Sequence, residues 1–338
     1  MSRHPCSISL ALISKYRASL MGFAMLFIIL FHIPLLRASQ FYGLYRMGNV
    51  GVDMFLFLSG IGLWYAWNKK PSYLYFLKRR CIRIYPVWFV LALNFYLLNY
   101  YTQQTLTHSL TDLIGDVLIN WDFWLQGELT FWYIPATMML YLFAPAYIQL
   151  INKYPVYRWL PVLMIVWCIM VQWIAPLYHY FIHLEIFWSR VPIFFIGINF
   201  GLPIQNRKVL QPQAFWLIFI TFALTLGTSV YLEQQLHGRF PLFVERMIYI
   251  PMTISGIILL CMVLRKLSNI SNSIVAASAW IGGLSLEVYL LHAHFILKYL
   301  VKWHCGYWLT ALLCLIITLP IAWILHKGVA WAVNKIVK

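Results

Sequence analysis

Charge is what this chain has least of: one residue in ten is Asp, Glu, Lys or Arg, and only nine of 338 are acidic. A chain so poor in charge, with 62% hydrophobic residues, is neither an ordinary soluble domain nor a disordered one. Paired cysteines are missing as well. Cys6, Cys81, Cys168, Cys261, Cys305 and Cys314 are dispersed without a C-x-x-C pair, which argues against a disulfide framework or a zinc site. No internal repeat of the kind that marks many transporters is visible. The apolar piece Ile8–Ile13 is too short for a secretory signal and runs into Lys15 and Arg17, so the first span is expected to be retained.

Long apolar runs are what the chain does have, and its mean hydropathy is +0.76. Runs of roughly 17–25 residues suit a hydrocarbon core about 30 Å thick. They fall near 20–36, 50–67, 84–101, 131–151, 159–176, 186–204, 214–232, 246–264, 275–298 and 306–326. The expected fold is all-α, a polytopic membrane protein of about ten transmembrane helices forming one domain over 1–338. The outer loop Thr102–Thr130 carries Asp112, Asp116, Asp122 and Glu128, and part of it has the apolar spacing of an interfacial helix.

A net charge of +16 suggests nucleic acid, but its distribution says otherwise. With the N-terminus placed in the cytoplasm, Arg37, Arg46, Arg190, Arg239, Arg246, Lys298 and Lys302 are the only outer cations. The other 18 of 25, from Arg3 to Lys338, are inner, and no acidic residue falls in an inner loop. This is the positive-inside pattern, with both termini cytoplasmic.

Ionisable groups inside a bilayer cost several kcal/mol and are functional candidates by default. His32 lies about 18 Å along an outward-running first helix. Asp53 lies at similar depth on the returning one, about 5 Å in. A carboxylate near an imidazole fixes its tautomer and raises its basicity, as a general base requires. The plainer readings are a packing histidine and a carboxylate satisfied at a helix N-terminus. Arg190, Glu287, His292 and Trp132 reach the same outer half from distant sequence, and Arg190 and Glu287 are candidates for an intramembrane ion pair. His292 and His294 point to nearly opposite helix sides and do not readily share a ligand. His179 and His183 are spaced for a metal but sit in an apolar outer loop, so no metal site is expected. At the inner end, Arg79, Arg80 and Arg83 are either stop-transfer charge or a fork for phosphates.

In order along the chain, Gly22–His32, Gly51–Gly60, Arg80–Pro86, Phe131–Tyr141, Arg190–Gly197 and Ser285–His292 resemble the acyltransferase-3 family of integral membrane acyltransferases. The resemblance implies transfer of an acyl group, usually acetyl from acetyl-CoA, to a hydroxyl of a cell-envelope glycan or its lipid-linked precursor. It implies an essential first-helix histidine, matched by His32, and acyl-CoA contact by the R-x-x-R arginines, matched by Arg80 and Arg83. One position departs: the family's basic residue eleven places before the histidine is Met21 here, leaving that role to Arg17, to the Arg79–Arg83 cluster, or to no residue.

The reading is therefore an inner-membrane O-acetyltransferase with acetyl-CoA as cosubstrate and no permanently bound cofactor. Its partners are the bilayer and a carbohydrate acceptor, not nucleic acid. His32 is the expected base, Asp53 or Glu287 orients a histidine, and Arg190 and Trp132 serve the acceptor. The rival class is a transporter or flippase for a small anion or lipid-linked sugar, which needs no acyl-CoA.

Overall fold

A computed structural model describes residues 8–102 and 109–336. Arg3, Cys6, Lys338 and positions 103–108 of the acidic loop lie outside the described residues. Helix α1 (Arg17–His32) ends where Ile33 turns extended, as a residue before proline prefers, so His32 is its last residue. Short helical turns from Tyr42 lead into α2 (Val50–Lys69), and α3 (Tyr73–Tyr101) returns. An amphipathic α4 (Leu110–Ile119) and a short α5 (Trp121–Gln126) follow. Next come α6 (Tyr133–Lys153), α7 (Leu160–Trp173), α8 (Val191–Gln205), α9 (Ala214–Gln235) and α10 (Leu242–Ile270). The chain closes with α11 (Ser273–Gly283), α12 (Ser285–Leu291) and α13 (Tyr307–Ile336).

Among the described residues, seven helices are long and apolar enough to cross a membrane. The count is nine if each of two bent pairs forms one span. One pair joins Ala175–Trp188 to α8 at 42°, the other joins α11 to Ser285–Trp303 at 63°. The remaining expected span is α1, which at 16 residues is shorter than the others. At a rise of 1.5 Å per residue it covers about 24 Å, less than a full hydrocarbon core.

The centre of the bundle is α2, buried on nearly every side. Bringing backbones together in lipid requires small residues, and glycines supply them. A Cβ on Gly60 would meet Phe194 O at 2.3 Å, and one on Gly197 would meet Phe57 O at 2.3 Å, fixing α2 against α8. On α1, a Cβ at Gly22 would stand 1.9 Å from Ser278 O, and Gly282 is as tight against Ala18 O. These contacts hold α1 between α2 and α11 and set the heights of its two ends. Two-residue strands, β1 (Ile8–Ser9) and β2 (Val209–Leu210), pair antiparallel and put the N-terminal segment beside the loop after α8. Both were assigned to the inner side by charge, and they share one side here.

Candidate active site

Two cavities lie end to end in the bundle. The inner one, about 90 Å³, is bordered by Arg17, Met21, Gly62, Arg80, Arg83, Tyr133 and Tyr141, with no carboxylate among its lining residues. Arg17 opens α1, and Met21 is one turn further on the same face. Arg17, Arg80 and Arg83, all of them alternatives for the basic role absent at position 21, thus border the same cavity as Met21. The Arg17 guanidinium lies against Gly62, whose hypothetical Cβ would be 2.6 Å from Nη2, and its Nε donates to Leu58 O at 3.0 Å. Because α3 begins at Tyr73, Arg80 and Arg83 sit one turn apart on a continuous helix and border the cavity together. Arg79, one residue round, instead lies exposed near the Tyr75 ring at 5.9 Å. Of the three expected arginines, two reach the cavity.

The outer cavity is about 270 Å³ and includes His32, Asn49, Trp132, Tyr289, His292 and His294 in its wall. Ile28, Val52 and Tyr289 border both cavities, so the two meet at these side chains. At the end of α1, His32 Nδ1 is 2.8 Å from Ile28 O and 3.3 Å from His292 Nε2. The Nδ1 of His292 faces two carbonyls, Val288 O at 3.0 Å and Tyr289 O at 2.8 Å. Carbonyls only accept, so both rings carry the proton on Nδ1. The His32 Nδ1–H is then shared between Ile28 O and His292 Nε2, and its own Nε2 is left with a free lone pair. This is the state of a general base. A stretch of π-helix, His292–Leu297, carries His292 and His294. Both border the same cavity from either flank, although neither joins a metal cluster: among the described residues no three His, Cys, Asp or Glu converge. His183 Nε2 pairs with Trp124 O at 3.0 Å. Phe131, packed 4.5 Å from the His294 ring, holds φ at +53°, a conformation rare for a bulky residue and frequent at functional sites.

The carboxylates are placed differently from expectation. Asp53 is fully buried and faces Arg190, with Oδ2 3.7 Å from Nε, rather than an imidazole. Val52 borders the cavity, and the next residue on a helix is about 100° further round, which turns Asp53 toward α8. Arg190 Nη2 donates to Asn49 Oδ1 at 2.8 Å, and its guanidinium lies 5.3 Å from the Trp132 ring. Arg190 and Trp132 are therefore neighbours, but only Trp132 borders the cavity. Glu287 pairs with neither Arg190 nor His32. Its Oε1 is 2.7 Å from His326 Nδ1 on α13, because five residues from His292 is about 140° round the helix.

Sequence reasoning passed over Tyr289, Arg46, Glu233, Glu245 and Arg246. Arg46 Nε meets Glu233 at 2.9 Å, and Arg246 pairs with Glu185. The signal of the four charged residues was present as charges in otherwise uncharged windows (LYRMGN, VYLEQQ, LFVERMIY). Tyr289 carried no such signal. Its oxygen accepts from Tyr133 N–H at 3.3 Å, which leaves the phenolic proton to donate where the cavities meet.

Fold and site together define a helical membrane protein whose core is threaded by a charged inner cavity and a histidine-lined outer one. The family model described as an acyltransferase domain (Acyl_transf_3) matches residues 20–327, so the chain belongs to that acyltransferase family. No curated protein and no solved structure matches it significantly.

Proposed function

We propose that the protein transfers an acetyl group from acetyl-CoA, bound at the inner cavity, to a hydroxyl of an envelope glycan presented at the outer one. The observation that carries this reading is the meeting of the two cavities at Ile28, Val52 and Tyr289. Three guanidiniums without a carboxylate suit phosphates, which accept bidentate hydrogen bonds from arginine. A thioester on an extended arm then reaches the junction.

His32 Nε2 takes the proton of the acceptor hydroxyl as its oxygen bonds to the thioester carbonyl carbon. The carbonyl oxygen gains charge, and the Tyr289 O–H is placed to donate to it. Collapse breaks the carbon–sulfur bond, and the CoA thiolate departs, taking up the proton that His32 acquired. His292 accepts from His32 Nδ1–H and holds the ring in the basic tautomer. Asp53 neutralises Arg190, and Arg190 in turn fixes Asn49 and Trp132 in the acceptor wall. Membrane of the bacterial inner type, with Arg17 on the cytoplasmic face, completes the reading.

Purified protein supplied with acetyl-CoA and envelope glycan should release free CoA in step with glycan acetylation, and a deletion strain should lack the acetylated glycan. A transporter would do neither. CoA release that is independent of His32, or unaltered glycan in the deletion strain, would overturn the assignment.

A further inference from the structure

Helix α10 turns one face to the outer cavity. Leu242, Glu245, Arg246 and Tyr249 border it at i, i+3, i+4 and i+7, about 10 Å along the helix axis. Among the described residues that border this cavity, Glu245 is the one with a carboxyl group. The cations beside it in the wall, Arg46 and Arg246, are held by carboxylates that do not border the cavity, Glu233 and Glu185. Glu245 itself forms no ion pair among the described residues. Its partner is a second carboxyl, since the side chains of Glu245 and Glu233 hydrogen-bond to each other. Two carboxyl groups can do so only through a proton. Glu233 already accepts from Arg46 Nε at 2.9 Å and from His237 Nδ1 at 2.5 Å, so it is the carboxylate and Glu245 carries the proton. Glu245 is thus a neutral, buried group in the wall. It donates to Glu233, and its other oxygen is left to accept.

We propose that Glu245 selects which hydroxyl is acetylated: its second oxygen accepts from one hydroxyl of the sugar and so sets a neighbouring hydroxyl at His32. The inference rests on the acetyl-transfer reading above and adds to it the group that fixes the ring position. The carboxyl cluster reaches the base. Arg46, bonded to Glu233, lies 5.0 Å from the ring of Phe31, the residue before His32. His32 and Glu245 also border the same cavity of only about 270 Å³, so a sugar at one stands close to the other. A hydroxyl both donates and accepts, and an acceptor oxygen beside guanidiniums answers both needs. Because the charges of this wall are matched among themselves, it receives an uncharged group without leaving an ion stranded. A site built to hydrogen-bond a hydroxyl also rejects a sugar lacking it far more sharply than an apolar pocket rejects a methylene.

The test uses purified full-length protein, acetyl-CoA and envelope glycan, with KM for glycan measured and the acetylated ring position read by NMR. In Glu245→Gln the amide N–H donates to Glu233 and the carbonyl accepts from the sugar. Its KM for glycan should stay within about twofold of wild type, and the product should remain one positional isomer. Glu245→Asp keeps a carboxyl but draws it back by one methylene, and Glu245→Leu removes the acceptor. Both should raise that KM about tenfold and give mixed positional isomers. An Asp variant that binds glycan as well as the Gln variant, or better, would mean that Glu245 acts through charge and would overturn the proposal. A Leu variant with wild-type KM and ring position would do the same. The comparison of Gln with Asp decides the matter even if the Leu variant folds poorly. Absence of transfer by the wild-type protein would remove the acetyl-transfer reading and this proposal with it, whereas wild-type transfer with unaltered variants removes this proposal alone.

Discussion

The inner and outer cavities handle positive charge in opposite ways. Arg17, Arg80 and Arg83 border the inner cavity with no carboxylate beside them. In and around the outer cavity, Arg46 faces Glu233, Arg190 faces Asp53 and Arg246 faces Glu185. Uncompensated cations in a narrow site ask for an anionic ligand, whereas paired ones hold a wall in place and leave room for a neutral one. A phosphorylated donor and an uncharged sugar hydroxyl fit that division. Mutating the two sides should therefore give different kinds of defect.

The largest effect is expected on the outer side. His32→Ala should lower acetyl transfer by roughly 10²–10⁴, the range for loss of a general base. CoA release in purified protein measures the loss, and membrane-fraction abundance should match wild type because removing an imidazole does not oppose insertion. Asp53→Ala comes next and should act on stability. It strands the buried Arg190 charge, a change that costs about 3–5 kcal/mol. Thermal unfolding in detergent should show it, and Asp53→Leu combined with Arg190→Met should recover much of the loss. If Asp53→Ala were as stable as wild type but inactive, the carboxylate would belong to the chemistry and the contrast between the cavities would weaken.

His292→Ala should reduce turnover by about tenfold to a hundredfold, because His32 remains but its ring is no longer held. The His32→Ala, His292→Ala pair should be no worse than His32→Ala alone, since one residue acts through the other. On the inner side the defect moves to binding. The Arg80→Lys, Arg83→Lys variant keeps its topological charge but loses the planar forks, so KM for acetyl-CoA should rise about tenfold with kcat little changed. Arg79→Lys, facing away, should change neither. Equal effects from Arg79 and Arg83 would return the cluster to a topological signal.

The smallest effect lies outside the spans. Burial, opposed by the Asp122 N–H and reinforced by the Asp122 carboxylate, raises the Asp116 carboxyl from its ordinary value to about 7. A carboxyl raised on folding binds a proton more tightly in the folded state, so stability falls as pH rises from about 4 toward 7. Asp116→Asn should flatten that decline in unfolding measurements across the same window.

Much of this arrangement was legible in the sequence. Apolar run length located the helices, the rarity of ionisable groups in those runs singled out His32, Asp53, Arg190, Glu287 and His292, and helical spacing in the basic cluster singled out Arg80 and Arg83. Partnership was not legible. Depth along a helix says how high Asp53 and Glu287 stand but not which way they face, and a single residue step or five turned them to α8 and α13 instead of to a histidine. Arg17 was one of three alternatives for the basic role absent at Met21, and sequence alone did not choose among them, because Arg17 opens the first helix among other basic residues that topology explains. Tyr289 was masked by composition: with 22 tyrosines, one more in an apolar helix carries no signal. That Arg17 and Met21 share one wall of the inner cavity became visible only in the structure.

The central claim is that donor and acceptor enter from opposite ends and meet at Tyr289. Sealed membrane vesicles of defined orientation test it most directly, with radiolabelled acetyl-CoA supplied outside only and luminal glycan assayed for label. Vesicles exposing the face of Arg17, Arg80 and Arg83 should acetylate the glycan inside them, and vesicles of the opposite orientation should do so only after permeabilisation. Equal labelling of intact vesicles in both orientations, or labelling confined to the opposite one, would contradict a passage from the arginines to His32.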